Sequence, residues 1–169
     1  MPKGLKQTSS VVSIGFNATE TAADTFAESQ VDLALSPLDR EVFVVLAVNL
    51  DPFTPDFFAD KTTQVSSSLT TTSQTAVANL SNSNCLAAAQ NIIKNETGVG
   101  ACAFQSLGIE TPPATLEYIG IIATSDFYVQ VEGANNLSAK AVNGKLYGYR
   151  AIADADIYAA LVQSEVLSS

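Results

Sequence analysis

Between Ser36-Pro37 and Asp51-Pro52 the chain runs Arg-Glu-Val-Phe-Val-Val-Leu-Ala-Val-Asn-Leu, an almost unbroken apolar stretch rich in β-branched residues. Such a run, Arg40–Leu50, punctuated by proline on both sides, predicts a strand buried on both faces or nearly so. Upstream, Val11–Phe16 and Gln30–Leu35 alternate over shorter spans and predict two further strands, with Ala22–Ser29 between them as a helical turn. Asp51–Asp60 contains two prolines and three acids and predicts a loop, because neither suits a central strand. In Thr62–Thr75 the residues Thr63, Val65, Ser67, Leu69 and Thr71 recur with period two. This predicts a long strand of modest apolar character at a sheet edge or an interface.

A helix is expected over 83–95. Asn82, Ser83 or Asn84 can cap it, Leu86, Ala89 and Ile93 make one stripe with Cys85 and Ile92, Lys94 suits its C-terminal end, and Gly98 stops it. After the segment Gly98–Gly108 and the Pro112-Pro113 break, Thr115–Ala123 and Phe127–Glu132 read as a hairpin joined through Thr124-Ser125-Asp126. In its second arm Phe127, Val129 and Val131 share one face. Gly133–Asn136 reads as a turn, and Ser138–Ala151 as a strand or a pair of strands with a tight turn at Asn143-Gly144. A second helix, over 154–166, is capped by Asp154 or Asp156 and presents Ile157, Ala160 and Leu161.

Strands following strands predict a mainly β fold: an antiparallel β-sandwich, jelly-roll-like, with two short helices at about 83–95 and 154–166. One domain spans 1–169, its residues 1–10 forming an extended arm. An immunoglobulin-like sandwich takes only about 100 residues and would leave much of the chain unused.

Composition narrows the chemistry. The chain of 169 residues has no His and no Trp, which removes the Ser-His-Asp and Cys-His hydrolases and most zinc enzymes. Charged residues make up only 15%, and 17 Ser with 15 Thr take their place. The net charge is −9, concentrated in residues 20–60, where nine acids face only Arg40. So acidic a surface repels phosphate backbones, and direct nucleic-acid binding is not expected. Neither a signal peptide nor a run of apolar residues long enough to span a bilayer is recognisable.

Several constellations invite a function. Asp51, Asp56 and Asp60 crowd one Pro-rich loop and make a candidate calcium site, without the spacing of the helix-loop-helix motif; no other cofactor is implied. Glu117, Asp126 and Glu132 could supply a glycosidase pair, yet Glu117 sits as any outward strand residue does. Gly98-Val-Gly-Ala101 lacks the third glycine of a phosphate loop. Tyr147 and Tyr149 read as cross-strand packing. Cys85 and Cys102 are as compatible with buried thiols as with a bridge. Of four Asn-x-Ser/Thr sequons, at Asn17, Asn79, Asn95 and Asn136, roughly two are expected by chance, so they read as composition.

With no catalytic constellation, the sequence favours a structural, non-enzymatic subunit that assembles with copies of itself into a large homo-oligomer. Its concrete form is a viral capsid protein, assembled in the host cytoplasm and found in the virion beside other virion proteins. The low-charge Ser/Thr strand is the expected interface, since charge is depleted at interface cores. The alternative is a non-catalytic carbohydrate- or receptor-binding sandwich on a virion or cell surface, in which Phe53, Phe57 and Phe58 would surround the Asp51–Asp60 loop.

Overall fold

A computed structural model describes residues 2–98, 100–106, 109–110 and 116–167. The apolar run forms β4 (Glu41–Pro52), the spine of the first sheet. Its inward side chains Phe43, Val45, Val48 and Leu50 are buried, and so are Val42 and Val44 on the other face. On one side β4 pairs with β11 (Ala141–Ala153); on the other it pairs with the short β8 (Ile109–Glu110) and β9 (Gly120–Ile122). Along its far edge β11 carries β2 (Val12–Thr19) and β1 (Leu5–Gln7) end to end. The second sheet runs β3 (Ala27–Asp32), β10 (Asp126–Ala134), β5 (Thr63–Thr70), β6 (Cys85–Glu96), β7 (Gly100–Ser106).

All pairings are antiparallel. Reduced to eight strands, the orders are β2-β11-β4-β9 and β3-β10-β5-β6. In each sheet the chain's first and last strands lie side by side, the double Greek key of a jelly roll. The core lies between the sheets. Phe127, Val129 and Val131 of β10 meet Val65 and Leu69 of β5, with Phe43, Val48, Val142 and Leu146 opposite. Phe16 packs edge-on against Phe127 at 5.7 Å between ring centroids.

The outer faces are covered too. Helix α1 (Ala155–Leu167) starts where Asp154 accepts the Tyr158 N–H through its backbone carbonyl, and lays Ile157, Tyr158, Leu161 and Val162 over Val42, Val44, Tyr149 and Ala151. The expected apolar face holds except for Ala160, which is exposed. On the second sheet the segment between β5 and β6 turns back over the outer face, and the Ala78 N–H donates to Ser68 Oγ at 3.1 Å.

Five expectations are corrected. The helix expected over 83–95 is instead strand β6 from Cys85: Ala87, Ala89 and Asn91 point inward in alternation while β5 and β7 supply the ladder on either side. Pairing on both edges outweighs the helix propensity of the Ala-rich stretch. The supposed hairpin is a crossover, because β9 pairs with β4 in one sheet and β10 with β3 and β5 in the other. Thr115 and the Pro112-Pro113 break lie outside the described residues.

Asn143-Gly144 is no turn but part of one continuous 13-residue strand. A Cβ on Gly144 would lie 2.4 Å from the Asn49 carbonyl oxygen and 2.7 Å from the Phe16 ring, so close packing, not chain reversal, requires glycine there. The Ser/Thr strand is central, between β10 and β6, rather than at an edge. Finally, Ala22–Ser29 is not helical: residues from Ala27 join β3, and the Glu20 carboxylate fixes the preceding bend by accepting the Thr25 N–H at 2.7 Å.

Candidate assembly surface

The three loop acids are placed very differently. Asp51 ends β4 opposite Asn143 and is exposed, and Asp60 sits exposed with φ 62°. Asp56 is fully occupied. Its Oδ1 receives Lys140 Nζ at 2.8 Å, and its Oδ2 accepts the N–H groups of Leu137 (2.9 Å) and Ser138 (3.2 Å) and the Ser138 hydroxyl (3.2 Å). The Lys140 hydrogen bond, then that from Leu137, lower its pKa to about 2. Among the described residues no three acids or thiols stand together as metal ligands. Asp56 acts here as a clasp between the 53–60 loop and the turn before β11.

The candidate carboxylate pair does not converge. Asp126 and Glu132 lie six residues apart on β10, about 20 Å at the rise of an extended strand. Asp126 accepts from Gln30 Nε2 and from the Tyr128 hydroxyl, the latter at 3.4 Å. Glu117 is exposed beside Tyr149, whose phenol is raised in pKa mainly by burial and then by that neighbouring charge. Tyr149 is packed under α1, while Tyr147 reaches solvent. Cys85 and Cys102 form no disulfide; Cys85 starts β6, and Cys102 pairs with Lys94 near its far end. Gly98, with φ 80°, lies in the turn between β6 and β7. Of the sequons, Asn136 is buried, its amide donating to the Gln64 carbonyl at 2.9 Å.

The Ser/Thr strand spends its hydroxyls inside this fold. Ser67 Oγ donates to the Ala89 carbonyl at 3.0 Å and Ser68 Oγ to Gln130 Oε1 at 2.6 Å. Gln130, fully buried, donates in turn to Thr70 Oγ1 (2.8 Å) and Glu28 Oε2 (2.9 Å). Glu28 also receives the Ser73 hydroxyl and the Gln74 N–H, which ties down the covering segment. Hence small hydroxyl side chains were the right residues for burial without charge, but the surface they cover is internal.

The open surface lies one strand further out. All seven residues of β7, Gly-Ala-Cys-Ala-Phe-Gln-Ser, are exposed on both faces, and Phe104 is 54% exposed. The strand adds to the second sheet beyond the eight strands of the sandwich, and no described residue buries either of its faces. It carries no charge and no proline. Sequence reasoning passed over it as a Gly-containing segment, and no local signal sets it apart, since uncharged runs are common here and the one between Lys61 and Lys94 is far longer. Other large apolar side chains are uncovered at both ends of β4. Phe53 and Phe57 lie with Leu137 around the Asp56 clasp, and Leu38, Val166 and Leu167 lie toward the opposite end.

Fold and surface together define a jelly-roll β-sandwich whose second sheet ends, among the described residues, in an exposed and uncharged strand. No family model and no curated protein matches the sequence. Among solved structures, a chain titled desmodium yellow mottle tymovirus aligns over 92% of this chain and 95% of its own, at 13% identity and a TM-score of 0.32. A score at that level does not equate the two folds.

Proposed function

We propose that this protein is a non-enzymatic structural subunit that assembles with copies of itself into a viral shell. The observation that carries the reading is β7, a whole strand left exposed on both faces at the end of a sheet. Monomeric β proteins blunt such edges with charge, proline, bulges or a covering element. Uncovered apolar groups at both ends of β4 add further places for neighbours, as a closed shell needs and a single docking site does not. Jelly rolls serve as capsid and lectin domains, and that analogy of fold is consistent with the proposal without deciding it. The subunit would reside in the virion, leave nucleic acid to other components, and require no cofactor.

A second reading has its own support. Phe53 and Phe57 are exposed on a loop clamped by Asp56, and an aromatic cluster at one end of a sandwich suits a carbohydrate- or receptor-binding module. Electron microscopy of the purified protein, with and without calcium, separates the two. Closed particles or rings are expected; isolated subunits under both conditions would reject the shell and favour the binding module.

A further inference from the structure

Self-assembly leaves open which surfaces meet, and β7 differs from the other end of its own sheet. There, β3 carries Glu28 and Asp32, charges that oppose the addition of another strand. The seven residues of β7 offer no such opposition. Among the described residues β7 pairs only with β6, and a strand added on its other side would continue the ladder of backbone groups and cover its side chains above and below.

The identity of the added strand follows from charge. A basic partner would be drawn to acids, and β7 has none. Two copies of a chain with net charge −9 repel one another generally, so contact between them is least costly where neither copy presents charge. Antiparallel pairing of a strand with itself also satisfies the two-fold rule of an isologous contact, each residue meeting its counterpart about a common axis.

We propose that β7 is a two-fold seam, pairing antiparallel with β7 of a second copy so that the five-stranded sheets of two molecules run on as one. The proposal rests on the self-assembly reading and assigns it one specific contact. Ala103, at the middle of β7, lies nearest the axis, so a charge there in one copy faces the same charge in the other.

The test uses a charge exchange in the full chain. Ala103→Asp and Ala103→Lys are purified separately, checked for wild-type circular dichroism and melting, and compared with wild type by sedimentation velocity. Each variant alone is expected to weaken dimer formation by at least tenfold, and an equimolar mixture to recover it, because opposite charges then face each other. The double variants Ala101→Asp/Gln105→Asp and Ala101→Lys/Gln105→Lys, whose two positions face each other across the same axis, repeat the test should a substitution at 103 disturb folding. If wild type associates and all single variants associate equally well, or if the mixture shows no recovery, the seam is refuted while self-assembly stands. If wild type never associates, both readings fall.

Discussion

The buried amide of Gln130 offers a measurable test of how this sandwich tolerates so polar a central strand. Gln130→Leu keeps the size of the side chain and removes three hydrogen bonds, two with the hydroxyls of Ser68 and Thr70 and one with the carboxylate of Glu28. At about 1 kcal/mol for each neutral bond and about 2 for the charged one, the gross loss is about 4 kcal/mol. Added apolar burial returns about 1–2 kcal/mol, leaving a net destabilisation of about 2–3 kcal/mol. The Ser68 hydroxyl proton loses its acceptor, whereas Thr70 still donates to the Thr72 carbonyl at 2.7 Å and Glu28 keeps Ser73 and Gln74. For a chain of this length the change corresponds to a melting temperature lower by roughly 5–10 °C. Thermal melts followed by circular dichroism read it directly. A variant melting within about 2 °C of wild type would show that the network contributes little and that β5 is polar for some other reason.

Three further outcomes are expected. Gly148→Ala places a Cβ 2.2 Å from the Val44 carbonyl oxygen and 2.5 Å from the Phe43 ring, and should cost about 1–3 kcal/mol in a urea titration; an unchanged midpoint would mean the two strands separate freely. Asp56 has its pKa depressed to about 2, so its contribution to stability is present above the unfolded value near 4 and lost as pH falls toward 2. The stability gap between wild type and Asp56→Asn should therefore close across that window, and a gap that persists at pH 2 would contradict the clasp. Glu165, buried at the end of α1 where its two oxygens accept the Ala123 and Thr124 N–H groups, has its pKa raised by desolvation. Its charged form is the costly one, so wild type should gain stability relative to Glu165→Gln as pH falls from neutral toward the unfolded carboxylate value near 4.5; a falling or constant difference would refute that.

What the sequence disclosed depended on whether a signal was local. The β-branched run of β4 and the terminal helix α1 are each determined by their own residues, and both stand where expected. β6 was misjudged because alanine hides a period of two: Ala87 and Ala89 are buried and Ala88 less so, yet all three are one residue type. The crossover between β9 and β10 could not be read, since a strand pattern states which face is apolar and not which neighbour pairs with it. Gly144 looked like a turn for the same reason: its crowding comes from Asn49 and Phe16, distant in sequence. The neutral, small residues of β5 proved to be buried, and the strand that is exposed is β7. Burial of β5 is decided by the segment folding over it, and exposure of β7 by its place last in the sheet; neither is local.

The central claim, that this chain exists to join copies of itself, is tested most directly by its mass in solution. Light scattering at two protein concentrations should give a mass well above 17.7 kDa that grows or saturates with concentration. A mass equal to one chain at both concentrations would contradict the account.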